Sequence, residues 1–150
     1  MPRQIIVFYK GRKYPRTRPM GWFLAWWQKS DYSHCETVLR RVADVYECAG
    51  AKFLAGVRRA HLRLAPEDWD AWEIPADVQM ASDWLAVHEG DHYDPVGIFG
   101  FIFRRIKGMV RAWFCSEACA AMAGFQDPWR YDVATLRSAC MRIGRPVRLG

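Results

Sequence analysis

The spacing of the apolar residues changes at Pro75, from the pattern of strands to the pattern of a helix. Before Pro75, short apolar or alternating runs predict strands over residues 5–9, 34–41, 44–48 and 69–74, with a strand-like stretch over 52–64 that breaks at Gly56. After Pro75, apolar residues recur every three or four positions from Val78 to His88, and the run ends at Gly90. Strands followed by helices predict an α+β fold.

Further helical patterns occupy most of the second half of the chain. They predict helices over residues 101–110, 115–122 and 133–139, followed by a strand over 145–149. The aromatic-rich segment 20–29 predicts one more short helix, with its tryptophans facing the core. No repeat or linker interrupts the 150 residues, so we expect one domain over residues 1–150.

The first residues, Met1–Ile5, lack the apolar stretch of a signal peptide. The apolar stretch 96–114 is interrupted by charges, so it does not predict a spanning helix. We therefore expect synthesis in the cytoplasm without a signal peptide, and no membrane span.

The formal net charge of +6 suits an anionic partner, which could be nucleic acid, anionic lipid or a polymer of the bacterial envelope. Basic residues cluster at 10–18, where two prolines indicate a solvated loop, and at 104–111, within an apolar segment. The second cluster predicts an amphipathic helix packed on one side, with a membrane-surface helix as the alternative. The chain has no recognised nucleic-acid-binding motif, so nucleic acid is not the favoured partner.

Five cysteines without C-x-x-C spacing predict a reducing compartment rather than a disulfide scaffold or a metal site. His61, His88 and His92 are not spaced with cysteines or carboxylates as metal ligands are. The sequence therefore predicts no metal and no cofactor.

Cys115 stands at the start of a predicted helix, in the string Trp113-Phe114-Cys115-Ser116-Glu117. A helix N-terminus lowers the pKa of a thiol, and a lowered pKa is what a nucleophilic cysteine requires. Taken alone, however, a free cysteine is usually a buried small hydrophobic residue. Cys119, one turn further on, is interpreted as a core residue.

His34 begins a predicted strand in the string Ser33-His34-Cys35-Glu36. Alternation along a strand places His34 and Glu36 on one face and Cys35 on the other, pointing away from any site that His34 forms. Glu36 can therefore orient the imidazole of His34, although a lone histidine is more often a structural side chain than a catalyst, with Glu36 then only its hydrogen-bond partner.

These strings, with Tyr93–Gly100 between them, occur in an order that resembles the circularly permuted branch of the NlpC/P60 papain-like superfamily. The resemblance covers about residues 5–125 and is strongest to YiiX-type proteins and small relatives from phages and prophages. It implies an antiparallel sheet packed against helices, one of which carries the nucleophile.

By this resemblance Cys115 would be the nucleophile, its backbone N–H an oxyanion donor, and His34 the general base. The residue that orients His34 would be Glu36, with Glu47 on the next strand as the alternative. Tyr93 would line the substrate cleft; in a structural alternative Tyr93 packs in the core and Asp94 caps the following helix.

The implied function is that of a cysteine peptidase or amidase acting on the stem peptide of peptidoglycan, in a phage or prophage tail or cell-entry context. Its partners would be a peptide or peptidoglycan substrate and other phage tail proteins, and the protein would be incorporated into a virion. Two alternatives stay open: an acyltransferase or thioesterase acting on lipid or acyl esters, and a non-catalytic structural module of the virion.

Overall fold

The structure, a computed structural model, describes residues 1–11, 31–52, 54–93 and 112–150. These residues form eight strands and three α-helices. In chain order they are β1 (Arg3–Tyr9), β2 (His34–Val42), β3 (Val45–Lys52), β4 (Gly56–Leu62), β5 (Trp69–Asp77), α1 (Val78–His88), β6 (His92–Tyr93), β7 (Ala112–Trp113), α2 (Cys115–Met122), α3 (Val133–Ile143) and β8 (Arg145–Val147). A short 3-10 helix, Pro128–Arg130, links α2 to α3.

Six strands form one antiparallel sheet in the order β4-β3-β2-β1-β5-β8. Strand β2 lies near its centre, and its first residue, His34, pairs with Tyr9 at the end of β1. The short strands β6 and β7 pair in parallel, apart from this sheet. The predicted α+β class, with an antiparallel sheet and packed helices, is confirmed.

The two faces of the sheet carry different sets of side chains, as the period of two requires. One face, with Phe8 and Cys35, joins the larger core, to which α1 contributes Leu85 and α3 contributes Leu136. The opposite face carries a smaller cluster that includes Val38 and residues from the C-terminus. The helices thus cover the face that bears Cys35.

Several boundaries differ from the prediction. The stretch 52–64 is divided, because β3 ends at Lys52 and β4 begins at Gly56, which has a φ of +70°. A Cβ at Gly56 would overlap the carbonyl oxygen of Asp91, so the turn needs glycine. Strand β5 continues through Pro75 to Asp77, since the β1–β5 register shifts beside the proline.

The helices α1 and α2 have the predicted bounds, whereas α3 extends to Ile143 and β8 is shorter than predicted. The helices predicted over 20–29 and 101–110 lie outside the described residues, as does the basic cluster 104–111 and most of the cluster 10–18. No helix within the described ranges is long and apolar enough to cross a bilayer.

We expect the Leu85→Ala variant to lose about 2 to 5 kcal/mol of unfolding free energy, because Leu85 is fully buried and its removal leaves a cavity. Val87→Ala on the same helix is the matched control, since Val87 is 72% exposed. Chemical denaturation measures both. Equal losses for the two variants would contradict the packing of α1 described above.

Candidate active site

Helix α2 begins at Cys115, and Phe114 precedes it in extended conformation. The helix packs against β2 and β3 through small buried residues, including Ala118 and Ala120. The backbone N–H groups of its first turn have no partner within the helix, and their dipoles favour a negative charge at this end. The Cys115 sulfur, in a side chain only 1% exposed, therefore lies at the electropositive end of a helix.

The His34 side chain interacts with Glu36 through one ring nitrogen. Its Nε2 lies 2.7 Å from Oε1 of Glu36, as the alternation along β2 predicts. In the ionised pair Nε2–H donates to the carboxylate, which leaves Nδ1 as the ring nitrogen for another partner. The ring is 24% exposed, and Trp69 of β5 lies beside it at 6.5 Å between ring centroids.

That other partner is Cys115, which forms a side-chain hydrogen bond with His34. Burial by itself would lower the pKa of His34, but hydrogen bonds with Cys115 and Glu36, and the charges of both, raise the pKa to about 10. Burial likewise raises the pKa of Cys115, yet hydrogen bonds from Cys35 and His34 and the His34 charge lower the pKa to about 5. At neutral pH the two groups therefore form a thiolate–imidazolium pair.

Glu36 is fully buried between His34 and Arg58 of β4. Arg58 donates through Nη1 to Oε2 at 2.8 Å and through Nη2 to Oε1 at 2.5 Å. Burial would raise the pKa of Glu36, but the hydrogen bonds and positive charges of His34 and Arg58 lower it. On β3, Gly50 makes room for this carboxylate, because a Cβ there would overlap Oε2 of Glu36.

The predicted orientation of Cys35, away from the site, is wrong. Cys35 does lie on the face of β2 opposite Glu36, but α2 packs against that same face, so the Cys35 thiol hydrogen-bonds to Cys115. Burial and these thiol neighbours raise the pKa of Cys35 well above its usual value. Cys35 thus stays protonated and donates its S–H to the Cys115 thiolate.

Glu47, the alternative partner for His34, lies in a different environment. It is 2% exposed and forms ion pairs with Arg40 and Arg59, and His61 lies 3.9 Å from it. The hydrogen bonds and charges of the two arginines lower the pKa of Glu47 against the opposing effect of burial. The structure therefore brings Glu36, and not Glu47, to the imidazole of His34.

The ring of Tyr93 meets that of Phe114, the residue before Cys115, with 5.7 Å between the ring centroids. Tyr93 also borders a cavity of about 260 Å³ lined by residues 54–56 and 90–93, a lining that does not include Cys115 or His34. The partly buried Tyr93 packs against the larger core, and its position in a substrate cleft stays a prediction. Asp94, the alternative cap, lies outside the described residues.

The strand that leads into α2 is held by a carboxylate outside the site. Asp91 accepts a hydrogen bond from Trp113 Nε1 at 3.1 Å, and its Oδ2 also lies 2.8 Å from His88 Nδ1. The His88 ring stacks on Trp84 and meets Trp113 edge-on. These contacts anchor the chain two residues before Cys115.

Among the described residues no group of histidines, cysteines and carboxylates is arranged to hold a metal ion. The cysteines all have free thiols and are all buried.

Sequence reasoning did not single out Arg58, and it placed Cys35 outside the site. Two signals for Arg58 were available: a buried strand carboxylate such as Glu36 requires a cation, and Gly50 within a strand indicates close approach by another group. The pairing of Gly50 with Arg58 across β3 and β4 then joins these two signals.

Comparisons with protein-family models, with curated proteins and with solved structures found no match to this chain.

We expect Cys35→Val to raise the pKa of Cys115 by about one unit, because valine removes the S–H donor to the thiolate. The pH dependence of iodoacetamide alkylation at Cys115, read by mass spectrometry, measures this pKa. Cys48→Val is the control, since Cys48 is equally buried but lies on the opposite face of the sheet. An unchanged titration in Cys35→Val would show that the thiol does not stabilise the thiolate.

Proposed function

We propose that this protein is a cysteine hydrolase that cleaves an amide bond through a thioester on Cys115. The observation that carries the proposal is the buried Cys115–His34–Glu36 arrangement, in which the thiol has a lowered pKa and the imidazole a raised one. A buried thiol without a catalytic partner has a raised pKa, as Cys35, Cys48 and Cys140 do. The contrast among thiols of similar burial singles out Cys115.

In the proposed mechanism the Cys115 thiolate attacks the carbonyl carbon of the amide and forms a C–S bond. The negative charge that develops on the carbonyl oxygen is stabilised by backbone N–H groups at the start of α2, including that of Cys115. His34 then donates its Nδ1 proton to the leaving nitrogen as the C–N bond breaks. A water molecule, deprotonated by His34, hydrolyses the thioester and releases the acid.

The order of the elements supports a permuted papain-like fold of the NlpC/P60 type. The strand that carries His34 comes before the helix that carries Cys115, and this helix packs against that strand, which lies inside the antiparallel sheet. The motifs Ser33-His34-Cys35-Glu36 and Phe114-Cys115-Ser116-Glu117 resemble those of that superfamily. This resemblance is the basis for proposing the fold family and, with it, the substrate.

The substrate proposed on this basis is the stem peptide of peptidoglycan, in a phage or prophage tail that enters cells. The net charge of +6 suits an anionic envelope polymer, which would concentrate the protein at the cell wall. Other phage tail proteins would be its partners within the virion.

We expect iodoacetamide to label Cys115 first among the five cysteines at neutral pH. Because all five are buried, exposure does not separate them, whereas the fraction present as thiolate does. Peptide mapping after brief labelling measures the order, and His34→Asn should abolish the preference. Equal labelling of the five thiols in the unchanged protein would refute the proposed nucleophile.

The protein that has not been alkylated can be tested on substrates, with purified peptidoglycan and a panel of acyl esters and thioesters side by side. We expect release of stem-peptide fragments that Cys115→Ala loses by at least about a thousandfold, since the nucleophile is removed. Cys119→Ala, one turn further on α2 and equally buried, is the matched control. Hydrolysis of the esters alone would identify a thioesterase or acyltransferase instead, and no turnover of either class would favour a structural module.

We expect a bell-shaped dependence of the hydrolysis rate on pH. Activity should rise as Cys115 ionises, at pH about 5, and fall as His34 loses its proton, at pH about 10. Initial rates in constant-ionic-strength buffers measure both limbs. A rate that rises only above pH 8 would indicate an ordinary thiol and contradict the ion pair.

A further inference from the structure

Arg58 occupies a special position among the charged residues near the site. Both of its Nη groups bond the Glu36 carboxylate, and its side chain is 19% exposed while that of Glu36 is fully buried. Oxygen Oε1 of Glu36 accepts from both Arg58 and His34, whereas Oε2 accepts from Arg58. Arg58 therefore contacts the group that holds His34 without itself belonging to the reacting atoms.

We propose that Arg58 is a positioning residue that offsets the charge of Glu36, so that His34 is oriented by the carboxylate without being held permanently as a cation. This inference rests on the proposed cysteine-hydrolase function. A buried carboxylate with no second cation would bind the imidazolium proton too firmly for transfer to a leaving group. With Arg58 bound, part of the Glu36 charge is offset, so the carboxylate stabilises the imidazolium less strongly.

Four charged groups meet in the site. In the ion-paired state the Cys115 thiolate, the His34 imidazolium, the Glu36 carboxylate and the Arg58 guanidinium cancel one another. Without the guanidinium, the same state carries a net negative charge in a region of low dielectric, which is unfavourable. The site would then favour a neutral Cys115 thiol and a more firmly protonated His34.

Among the described residues, β3, α2, β1 and β5 also contribute neighbours to this network. From β3, the Cys48 thiol lies near Glu36 and Arg58, and burial raises its pKa, so it stays uncharged. From α2, the Cys119 thiol lies near Arg58. Strand β1 contributes the apolar Val7 opposite Glu36, and β5 contributes Trp69 beside His34.

The test uses three variants of the full chain: Arg58→Gln, Glu36→Gln and the double variant. Two readouts do not require turnover: the pH dependence of Cys115 alkylation by iodoacetamide, and the NMR titration of the His34 ring, assigned by its loss in His34→Asn. We expect Arg58→Gln to move both titrations toward alkaline pH by about 1 to 3 units and Glu36→Gln to move both toward acid. The double variant removes one positive and one negative charge, so its Cys115 and His34 titrations should return toward those of the unchanged protein.

Arg59→Gln is the matched control, because Arg59 is the next residue on β4 and pairs with the other buried strand carboxylate, Glu47. It should leave both titrations unmoved. If Arg58→Gln does not fold, Arg58→Lys takes its place, because lysine keeps the charge but loses the bidentate hydrogen bond to Glu36. We expect this variant to leave the pKa values of Cys115 and His34 unchanged and to reduce kcat. A shift of either pKa in Arg58→Lys would overturn the proposal.

Two failures are distinguishable in this experiment. If Cys115 of the unchanged protein shows no low-pH alkylation, the cysteine-hydrolase proposal itself fails. If Cys115 of the unchanged protein is alkylated at low pH, but Arg58→Gln and Glu36→Gln do not shift the titrations of Cys115 and His34, the hydrolase proposal stands and the role of Arg58 is refuted.

Discussion

The ion pair between Glu36 and Arg58 is the interaction on which the rest of the site depends. Without the guanidinium, the Glu36 carboxylate would carry an uncompensated charge in the protein interior, and the charge balance around His34 and Cys115 would be lost. The pair requires three strands in register, because Glu36 lies on β2, Gly50 makes space on β3, and Arg58 reaches across from β4. Formation of the sheet and assembly of the site are therefore linked.

The thiolate at Cys115 is stabilised from several directions at once. Burial opposes the charged form, but the hydrogen bonds of Cys35 and His34 and the charge of the His34 imidazolium outweigh that penalty. Packing of α2 against β2 brings these groups together, and the small side chains of α2 allow the close approach. Burial is the main reason why the pKa values of Cys35, Cys48 and Cys140 are raised.

Much of the fold could be read from the order of the apolar residues. The strands and α1 follow from periods of two and of three to four residues, and the start of α2 follows from its helix-forming run. The break at Gly56 was recognised, but its reason was not, since the turn is dictated by the carbonyl of Asp91 about 35 residues away. The extension of β5 past Pro75 likewise depends on a shift in pairing with β1.

For the site, the sequence by itself determined which residues share a face of β2 and which residue begins α2, because both follow from local backbone geometry. It did not determine that α2 packs on the face bearing Cys35, nor that Arg58 of β4 reaches Glu36 of β2. Those contacts join residues far apart in the chain, and only tertiary packing decides which pairs of faces and strands meet. The physical reason is that periodicity describes one element at a time, whereas a buried charge is satisfied by whichever element lies next to it.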